Sequence, residues 1–335
     1  MPSLHDLRTS KPAFYPDQSI YAEFACLAFG LDFAEIDAGT GLVFTIASPR
    51  RTVAFGAGRG SFFPQNAATA ATLANDKYFA GVVLENAGVA TLGGSYFFLH
   101  ERYRAHRPPG HERGDAIPYF RKLGGSAFLK PLAGSRGDFA QPIGDEMALA
   151  TYLEAVSRYY DAVLMQPVVA GQEFRIFVLD DEILYSARKM QPMLLGDGVS
   201  SIRELLAAAD ATLDAHGISS AAAPERPWSL EMILPRGEHR LIPGRMNRSA
   251  GGTMMFQSPD SEPAAFDMAR RAARALGLRA AAVDLFTGIG GDPTAMRVIE
   301  VNANPSIRFL EDSGRSDLIL KLWRHTFLSI GLLDV

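Results

Sequence analysis

The chain has 335 residues, 47% hydrophobic and 21% charged, the composition of an ordinary globular protein long enough for two or three packed subdomains. Its 33 Lys and Arg against 37 Asp and Glu give a net charge of −4, without the basic bias that a phosphate backbone selects. A single cysteine, Cys26, excludes an internal disulfide; no apolar run reaches the roughly 18 residues of a membrane span and the N-terminus lacks a signal peptide's apolar stretch, so a cytoplasmic protein is expected.

Residues 1–73 read as a small α/β unit, with a short buried helix at 21–29 and strands at 42–46 and 52–55. The run GAGRGS at 56–61 invites comparison with a dinucleotide fingerprint. It fails, because Ser61 replaces the last glycine and Phe62, Phe63 and Pro64 do not open a helix; the run reads as a turn. Asn75 and Asp76 can cap a helix beginning near Lys77, with Phe79, Val82, Val83 and Ala87 on its apolar side and Gly88 at its end. By itself Lys77 reads as a solvated charge. The segment 100–122 carries Arg102, Arg104, Arg107, Arg113, Arg121 and Lys122 around Pro108, Pro109 and Gly110. Such a run is a solvated loop, or else a mobile flap that draws in an anionic substrate.

The strand Ala127–Pro131 holds one lysine, Lys130, in an apolar row, and Gly134, Ser135, Arg136 and Gly137 follow as a small-residue turn. A fixed cation before exposed backbone N–H donors suits phosphate, although no Gly-Lys-Ser/Thr makes this a Walker A loop. Residues 145–160 are amphipathic, with Leu149, Leu153, Val156 and Tyr160 at helical spacing. A strand at 162–169 turns at Ala170 and Gly171 into strands at 173–179 and 182–187. Arg175 and Arg188 lie in these apolar strands, where a guanidinium serves as a fork for carboxylate or phosphate. Gly196, Asp197 and Gly198 form a turn, and Ser201 with Glu204 makes a capping box opening a helix to about residue 211. Residues 219–243 are rich in Pro and charge and read as loop. Arg245, Asn247 and Arg248 then precede Gly251 and Gly252, offering cations, an amide and close-approach backbone to a phosphoryl or acyl phosphate group. A helix at 263–276 turns Phe266, Ala269, Ala273 and Leu276 inward, and an amphipathic helix at 316–330 closes the chain.

Between those two helices the apolar runs 281–286 and 296–301 flank Gly288, Gly290, Gly291, Asp292 and Pro293, the pattern of a β-hairpin. Alternation puts Glu300 and Asn302 on one face, with Ile299 and Val301 on the other, and Asp284 can point at the same face as Glu300. Carboxylates in an apolar hairpin need a cation or donor, and hard oxygen ligands suit Mg²⁺; the alternative is a satisfied core acid with Asn in a turn. The seven histidines show no metal spacing, and no Ser/His/Asp or Cys/His arrangement emerges.

Asp284 followed by EVNANP at 300–305 resembles the metal-binding signature of ATP-grasp ligases, and the other informative segments fall in that family's order from about residue 75 to 305. The resemblance implies an α+β ATP-grasp fold: a short N-terminal α/β domain (1–73), a small lobe (74–165) and a large lobe (166–335) that clasp ATP. It implies that Lys77, Lys130 and Ser135 meet the nucleotide phosphates, that Gln166, Val168 and Val169 line the adenine at an interdomain hinge, and that Glu173 holds the ribose hydroxyls. Asp284, Glu300 and Asn302 would bind Mg²⁺, as two ions with Mn²⁺ as a substitute. The GDG turn at 196–198, and residues 245–252 as an R-x-N-x-S-x-G-G segment, look like cyanophycin synthetases, glutathione-forming and RimK-type ligases. On that resemblance Arg245, Asn247 and Arg175 are the catalytic groups, while Arg188, Arg248, Gly251, Gly252 and Asn304 contact substrate. The implied reaction activates a carboxylate as an acyl phosphate, which an amine attacks to form an amide, on amino acids or short peptides.

No nucleic-acid or membrane partner is expected, and a homodimer is the expected assembly. Three departures stand out. Cyanophycin synthetases carry flanking domains, including a second ligase module, for which these residues hold no counterpart; Gln166 replaces an acid found in several relatives; and 107–121 matches nothing in the family. Two other outcomes stay open, ligation onto a peptide or protein terminus and a nucleotide-binding regulatory module without turnover.

Overall fold

The chain opens with two helices, α1 (Leu4–Thr9) and α2 (Asp17–Phe29), in a computed structural model that describes residues 1–56, 63–134, 137–191, 193–215, 229–241, 252–258 and 262–334. An antiparallel meander follows: β1 (Asp32–Glu35), β2 (Val43–Ala47) and β3 (Thr52–Gly56). Phe44, Ile46 and Phe55 form its buried face. Of the glycine-rich run 56–61, expected as a turn, all but Gly56 lies outside the described residues.

Next come α3 (Ala68–Asn75) and α4 (Lys77–Asn86). The Asp76 carboxylate accepts from the backbone N–H groups of Tyr78 and Phe79, both at 3.0 Å, and so starts α4 at Lys77. The inward stripe differs from the expected one. Ala80 and Leu84 are buried, whereas Phe79 and Val82 are 50% and 47% exposed. Small Ala80 lets the helix approach the core one residue further round, and Phe79 packs instead beside Tyr78 and Tyr96.

A four-stranded antiparallel sheet is built from β4 (Ser95–Phe98), β5 (Ala127–Pro131), β6 (Gln141–Ile143) and β7 (Ala162–Gln166), in the order β4-β7-β5-β6. β7 ends at Gln166, three residues short of the expected strand, because Pro167 has no N–H for the ladder. Helices α5 (Ala116–Lys122) and α6 (Glu146–Ser157) cover one face, burying Phe97, Leu129, Val163 and Met165 against Phe120, Leu149 and Leu153. Tyr96, Phe128, Lys130, Leu164 and Gln166 project from the other face, because Tyr96 and Lys130 both pair with Leu164 and Phe128 pairs with Gln166. The basic segment is folded. Arg107 stacks over the Phe98 ring at 3.9 Å, and Arg113 and Arg121 are paired with Glu154 and Glu146.

The remaining elements are β8 (Gln172–Leu179), β9 (Glu182–Met190), β10 (Met193–Leu195), α7 (Ile202–Ala215), β11 (His239–Leu241), β12 (Thr253–Phe256), α8 (Pro263–Ala275), β13 (Ala280–Thr287), β14 (Arg297–Asn302), α9 (Arg308–Asp312) and α10 (Ser316–Ser329). Strands β10 and β11 pair beside α7, whose capping box is made by Ser201 and Glu204 in both directions. Five strands form an antiparallel sheet in the order β12-β9-β8-β13-β14. Phe174, Ile176, Val283, Leu285 and Val301 on one face are buried with α8, α3 and α4. On the opposite face Phe177, Tyr185 and Ala282 join a core that also contains α2, β2, β3 and α10, with Trp323 fully buried in it. Beyond that core the same face carries Glu173, Arg175, Lys189, Asp284, Glu300 and Asn302.

Candidate functional site

Directly opposed residues of an antiparallel sheet project to the same side. Asp284 on β13 is opposite Arg175 on β8 and Glu300 on β14. Asn302 lies two residues beyond Glu300 and Glu173 two before Arg175, while Lys189 lies two beyond Ala187, the partner of Arg175. Period-two alternation therefore gathers six polar side chains from four strands on one face. A bulge at Ile299 assists. The pairing steps from Asp284–Glu300 to Leu285–Val298, so Val298 returns to the core face while Glu300 stays beside Asp284.

The Asp284 side chain is 1% exposed and carries three charge-assisted bonds. Arg175 Nε donates to Oδ1 at 2.8 Å, its Nη2 to Oδ2 at 2.7 Å, and Lys189 Nζ to Oδ2 at 2.8 Å. Lys189 also donates to Glu173 Oε1 at 2.5 Å. Burial alone pushes the Asp284 carboxyl up, but the charges and hydrogen bonds of Arg175 and Lys189 win and hold it well below the usual carboxylate range. Burial likewise works against the Lys189 ammonium, and Asp284 and Glu173 overcome it, raising its pKa. Glu300 and Asn302 are half-buried beside this cluster, with Asn302 Nδ2 donating to Glu300 Oε1 at 3.3 Å.

The four-stranded sheet supplies the facing wall. Lys130 is buried and its pKa is lowered by that burial, opposed by the fields of Glu300, Glu173 and Asp284 and reinforced by Lys77. Lys77 is anchored by donating to the carbonyls of Gly134 at 2.6 Å and Leu132 at 3.5 Å, in the turn after β5. Gln166 donates through Nε2 to the Gly93 carbonyl at 2.8 Å, and its buried Oε1 has no partner among the described residues. Lys77, Tyr78, Gln166, Ile299 and Glu300 surround a cavity of about 100 Å³ between the two sheets. At its wall Gly94 has φ +123 and lies so close that a Cβ would sit 2.5 Å from the Met165 carbonyl.

The fold thus brings together Lys77, Lys130, Gln166, Glu173, Arg175, Asp284, Glu300 and Asn302. Val168 is exposed and Val169 half-buried in the connection after β7, Gly252 is buried just before β12, and Asn304 is exposed beyond the end of β14. Ser135, Arg245, Asn247, Arg248 and Gly251 lie outside the described residues. Arg188 pairs with Phe174, on the sheet face opposite Asp284, and does not join the cluster. Lys189 takes that position, a residue the sequence reading passed over. The cause is a second bulge. Pairing changes between Val178–Ile183 and Phe177–Tyr185, leaving Leu184 as the extra residue. Without it the tight turn at 180–181 would set Glu173 opposite Arg188. Strand β9 also continues to Met190, beyond the expected end at 187, which carries Lys189 into the sheet.

Two facing antiparallel sheets with lysines on one wall and acids on the other define the α+β ATP-grasp fold. It is shared with the bifunctional glutathione synthetase of Pasteurella multocida, at a TM-score of 0.56 and 17% identity over 92% of this chain and 44% of that one. It is also shared with D-alanine–D-alanine ligase of Bacillus anthracis, at a TM-score of 0.51 and 13% identity over 78% and 70%. In sequence the chain is similar to cyanophycin synthetase of a Synechocystis species, 26% identical over 223 residues, and to the glutathione biosynthesis bifunctional protein GshAB of Streptococcus mutans, 27% identical over 165 residues. These matches cover 58% and 44% of this chain but only 26% and 22% of the relatives, so the chain spans about a quarter of their length. No family model matches the sequence. The expected ATP-grasp resemblance is borne out in fold and in relatives. No helix among the described residues is long and apolar enough to cross a membrane.

Proposed function

We propose that this protein is an ATP- and Mg²⁺-dependent carboxylate–amine ligase acting on amino acids or short peptides. The γ-phosphoryl group of ATP passes to a substrate carboxylate with release of ADP. An amine then attacks the acyl phosphate, phosphate leaves, and an amide remains. The observation that carries this is the meeting of Lys77 and Lys130 with Glu173, Asp284 and Glu300 across one cleft, cations for a triphosphate facing hard oxygen donors.

The donor set suits Mg²⁺. Glu300 and Asn302 present carboxylate and amide oxygens, and Arg175 and Lys189 take three of the roughly four acceptor positions on Asp284, leaving one open. Glu300, Asn302 and the open position on Asp284 would hold such an ion, which would supply charge neutralisation to the phosphates. The chain's own residues do the rest. Lys77 and Lys130 hold the phosphates, and Glu173 and Gln166 to Val169 hold ribose and adenine. Arg175 spends two of its five N–H donors on Asp284 and keeps three for charge developing at the acyl centre. Arg245 and Asn247 share that role, and Arg248, Gly251, Gly252 and Asn304 contact substrate, with Ser135 at the phosphates. Positioning and electrostatics supply most of the catalysis in phosphoryl transfer.

We divide the chain into an N-terminal domain (1–73), a small lobe (74–165) and a large lobe (166–335). We also infer two Mg²⁺ ions with Mn²⁺ as a substitute, a cytoplasmic homodimer, and neither nucleic-acid nor membrane partners; the support is a net charge of −4 and a lone, buried Cys26. The test is release of ADP and phosphate from MgATP in the presence of pooled amino acids and short peptides. Release that needs both a carboxylate and an amine supports the ligase, and Glu300→Gln should abolish it while leaving the fold intact. A fully active Glu300→Gln variant counts against the metal assignment. The extent to which Arg175 and Lys189 already neutralise Asp284 favours a second reading, a module that binds nucleotide without turnover; binding with no release under any substrate pool selects it.

A further inference from the structure

Asn66 lies between β3 and α3 and is 7% exposed. Its carboxamide makes four hydrogen bonds, all to backbone. Oδ1 accepts from the N–H groups of Arg279 at 2.9 Å and Ala280 at 3.0 Å, and Nδ2 donates to the carbonyls of Ala280 at 2.8 Å and Ala303 at 3.3 Å. That is the full capacity of an Asn side chain.

The location explains the need. Ala280 opens β13 and pairs with Leu179 of β8 on one side. On the other side the ladder with β14 stops at Ala282–Asn302, because the chain leaves the sheet there. Ala280 is thus left with a backbone donor and acceptor facing a missing strand, in a buried place where unpaired groups are costly. A carboxamide has the donor and acceptor of a peptide group. Asn66 substitutes for the absent strand residue and, through Ala303, ties down the chain immediately after Asn302.

We propose that Asn66 is a positioning residue for the oxygen ligands of the hairpin, a role that presupposes the metal assignment made above. It fixes the Ala303 carbonyl relative to the start of β13, and with it the direction in which Asn302 presents its amide oxygen beside Glu300. Residues that orient metal ligands act this way, and their loss weakens metal affinity about 10–100-fold. Gln65 provides the control. It is equally buried at 8% exposure, but its hydrogen bonds among the described residues go to Thr326 and His325 on α10 and not to the hairpin.

The experiment titrates the non-hydrolysable analogue AMP-PNP calorimetrically at a series of Mg²⁺ concentrations, for the wild type, Asn66→Ala and Gln65→Ala. Asn66→Ala should need about ten-fold more Mg²⁺ for half its effect, with metal-free AMP-PNP affinity within two-fold of wild type. Gln65→Ala should match wild type in both respects. A folded Asn66→Ala variant with wild-type Mg²⁺ dependence, or one that loses metal-free affinity equally, overturns the inference. If Asn66→Ala does not fold, amide exchange in the wild type decides. The Arg279 and Ala280 N–H groups should exchange more slowly once Mg²⁺ and AMP-PNP are added, and unchanged exchange overturns the inference. A wild type without any Mg²⁺ response removes the metal assignment and this role together; a response shared by wild type and Asn66→Ala removes this role alone.

Discussion

Asp284 concentrates the energetic stakes of the site in one side chain. It is buried against an Arg175 guanidinium that is 19% exposed and a Lys189 ammonium that is 4% exposed, so the ammonium in particular has little water to fall back on. Removing one partner of a buried pair costs about 3–5 kcal/mol, because the other charge is left uncompensated. Asp284→Asn should therefore lower the free energy of unfolding by about that amount at neutral pH in denaturant titrations without metal. Asp317→Asn, which breaks the exposed pair with Arg315, should change it by only about 0.5 kcal/mol. The pH dependence has a definite sign. A carboxyl held below its unfolded value of about 3.9 contributes fully above that value and loses its contribution as the pH falls through the folded one. The gap between wild type and Asp284→Asn should thus persist from neutrality to about pH 4 and narrow below it. A gap that stays constant into strong acid would show that Asp284 is not the ionised partner. At this scale the sequence was legible for residues whose neighbours are local. Glu300 and Asn302 share a face as alternation requires, and Lys130 stands in the strand assigned to it. It was not legible for Lys189, because a single extra residue, Leu184, reverses which of two adjacent cations faces Asp284.

Among the elements, α4 shows how local chemistry positions a functional cation. Its first residue is Lys77, and the helix begins there because Asp76 takes up two of the N–H groups that a helix start leaves free. Asp76→Ala should lower stability by about 1 kcal/mol and fray the turn that carries Lys77. AMP-PNP should then bind more weakly to this variant than to Asp145→Ala, which removes the equivalent cap of α6, remote from the cleft. Equal affinities in the two variants would separate the cap from the nucleotide site. Caps, turns and strand limits set by short-range chemistry were open to sequence reading: β5 has the expected bounds, and Ser201 with Glu204 makes the expected box. Phe79 and Val82 were not, since the stripe a helix buries depends on what covers it. Beyond the adjacent α3, the neighbours of α4 are β14 and α8, distant in sequence, and they accept the small face at Ala80 rather than the large one.

The molecule as a whole is held by contacts that no local pattern announces. One core joins α2 and β2 to β8, β13 and α10, and Arg8 on α1 donates to Glu311 on α9 from 303 positions away. The same long-range closure sets two sheets face to face and creates the environment of Lys130. Its ordinary pKa is 10.5; burial lowers it, and the acids of the opposite sheet offset only part of that loss. A triphosphate seated between the sheets would add negative charge beside the ammonium and raise its pKa again. Between the lowered value and 10.5, nucleotide binding should therefore be accompanied by proton uptake, and affinity should fall as the pH rises through that window. Lys189 adds nothing to the effect, because Asp284 and Glu173 hold it above its ordinary value and it stays charged in both states. The measurement is AMP-PNP binding in pairs of buffers with different ionisation enthalpies, from pH 7 to pH 10. Uptake should be smallest where Lys130 is already charged and grow as the pH rises into the window; Lys130→Met should abolish that growth. Proton release on binding, or uptake that survives in Lys130→Met, would mean that the lysine facing Glu300 across the cleft does not meet the phosphates.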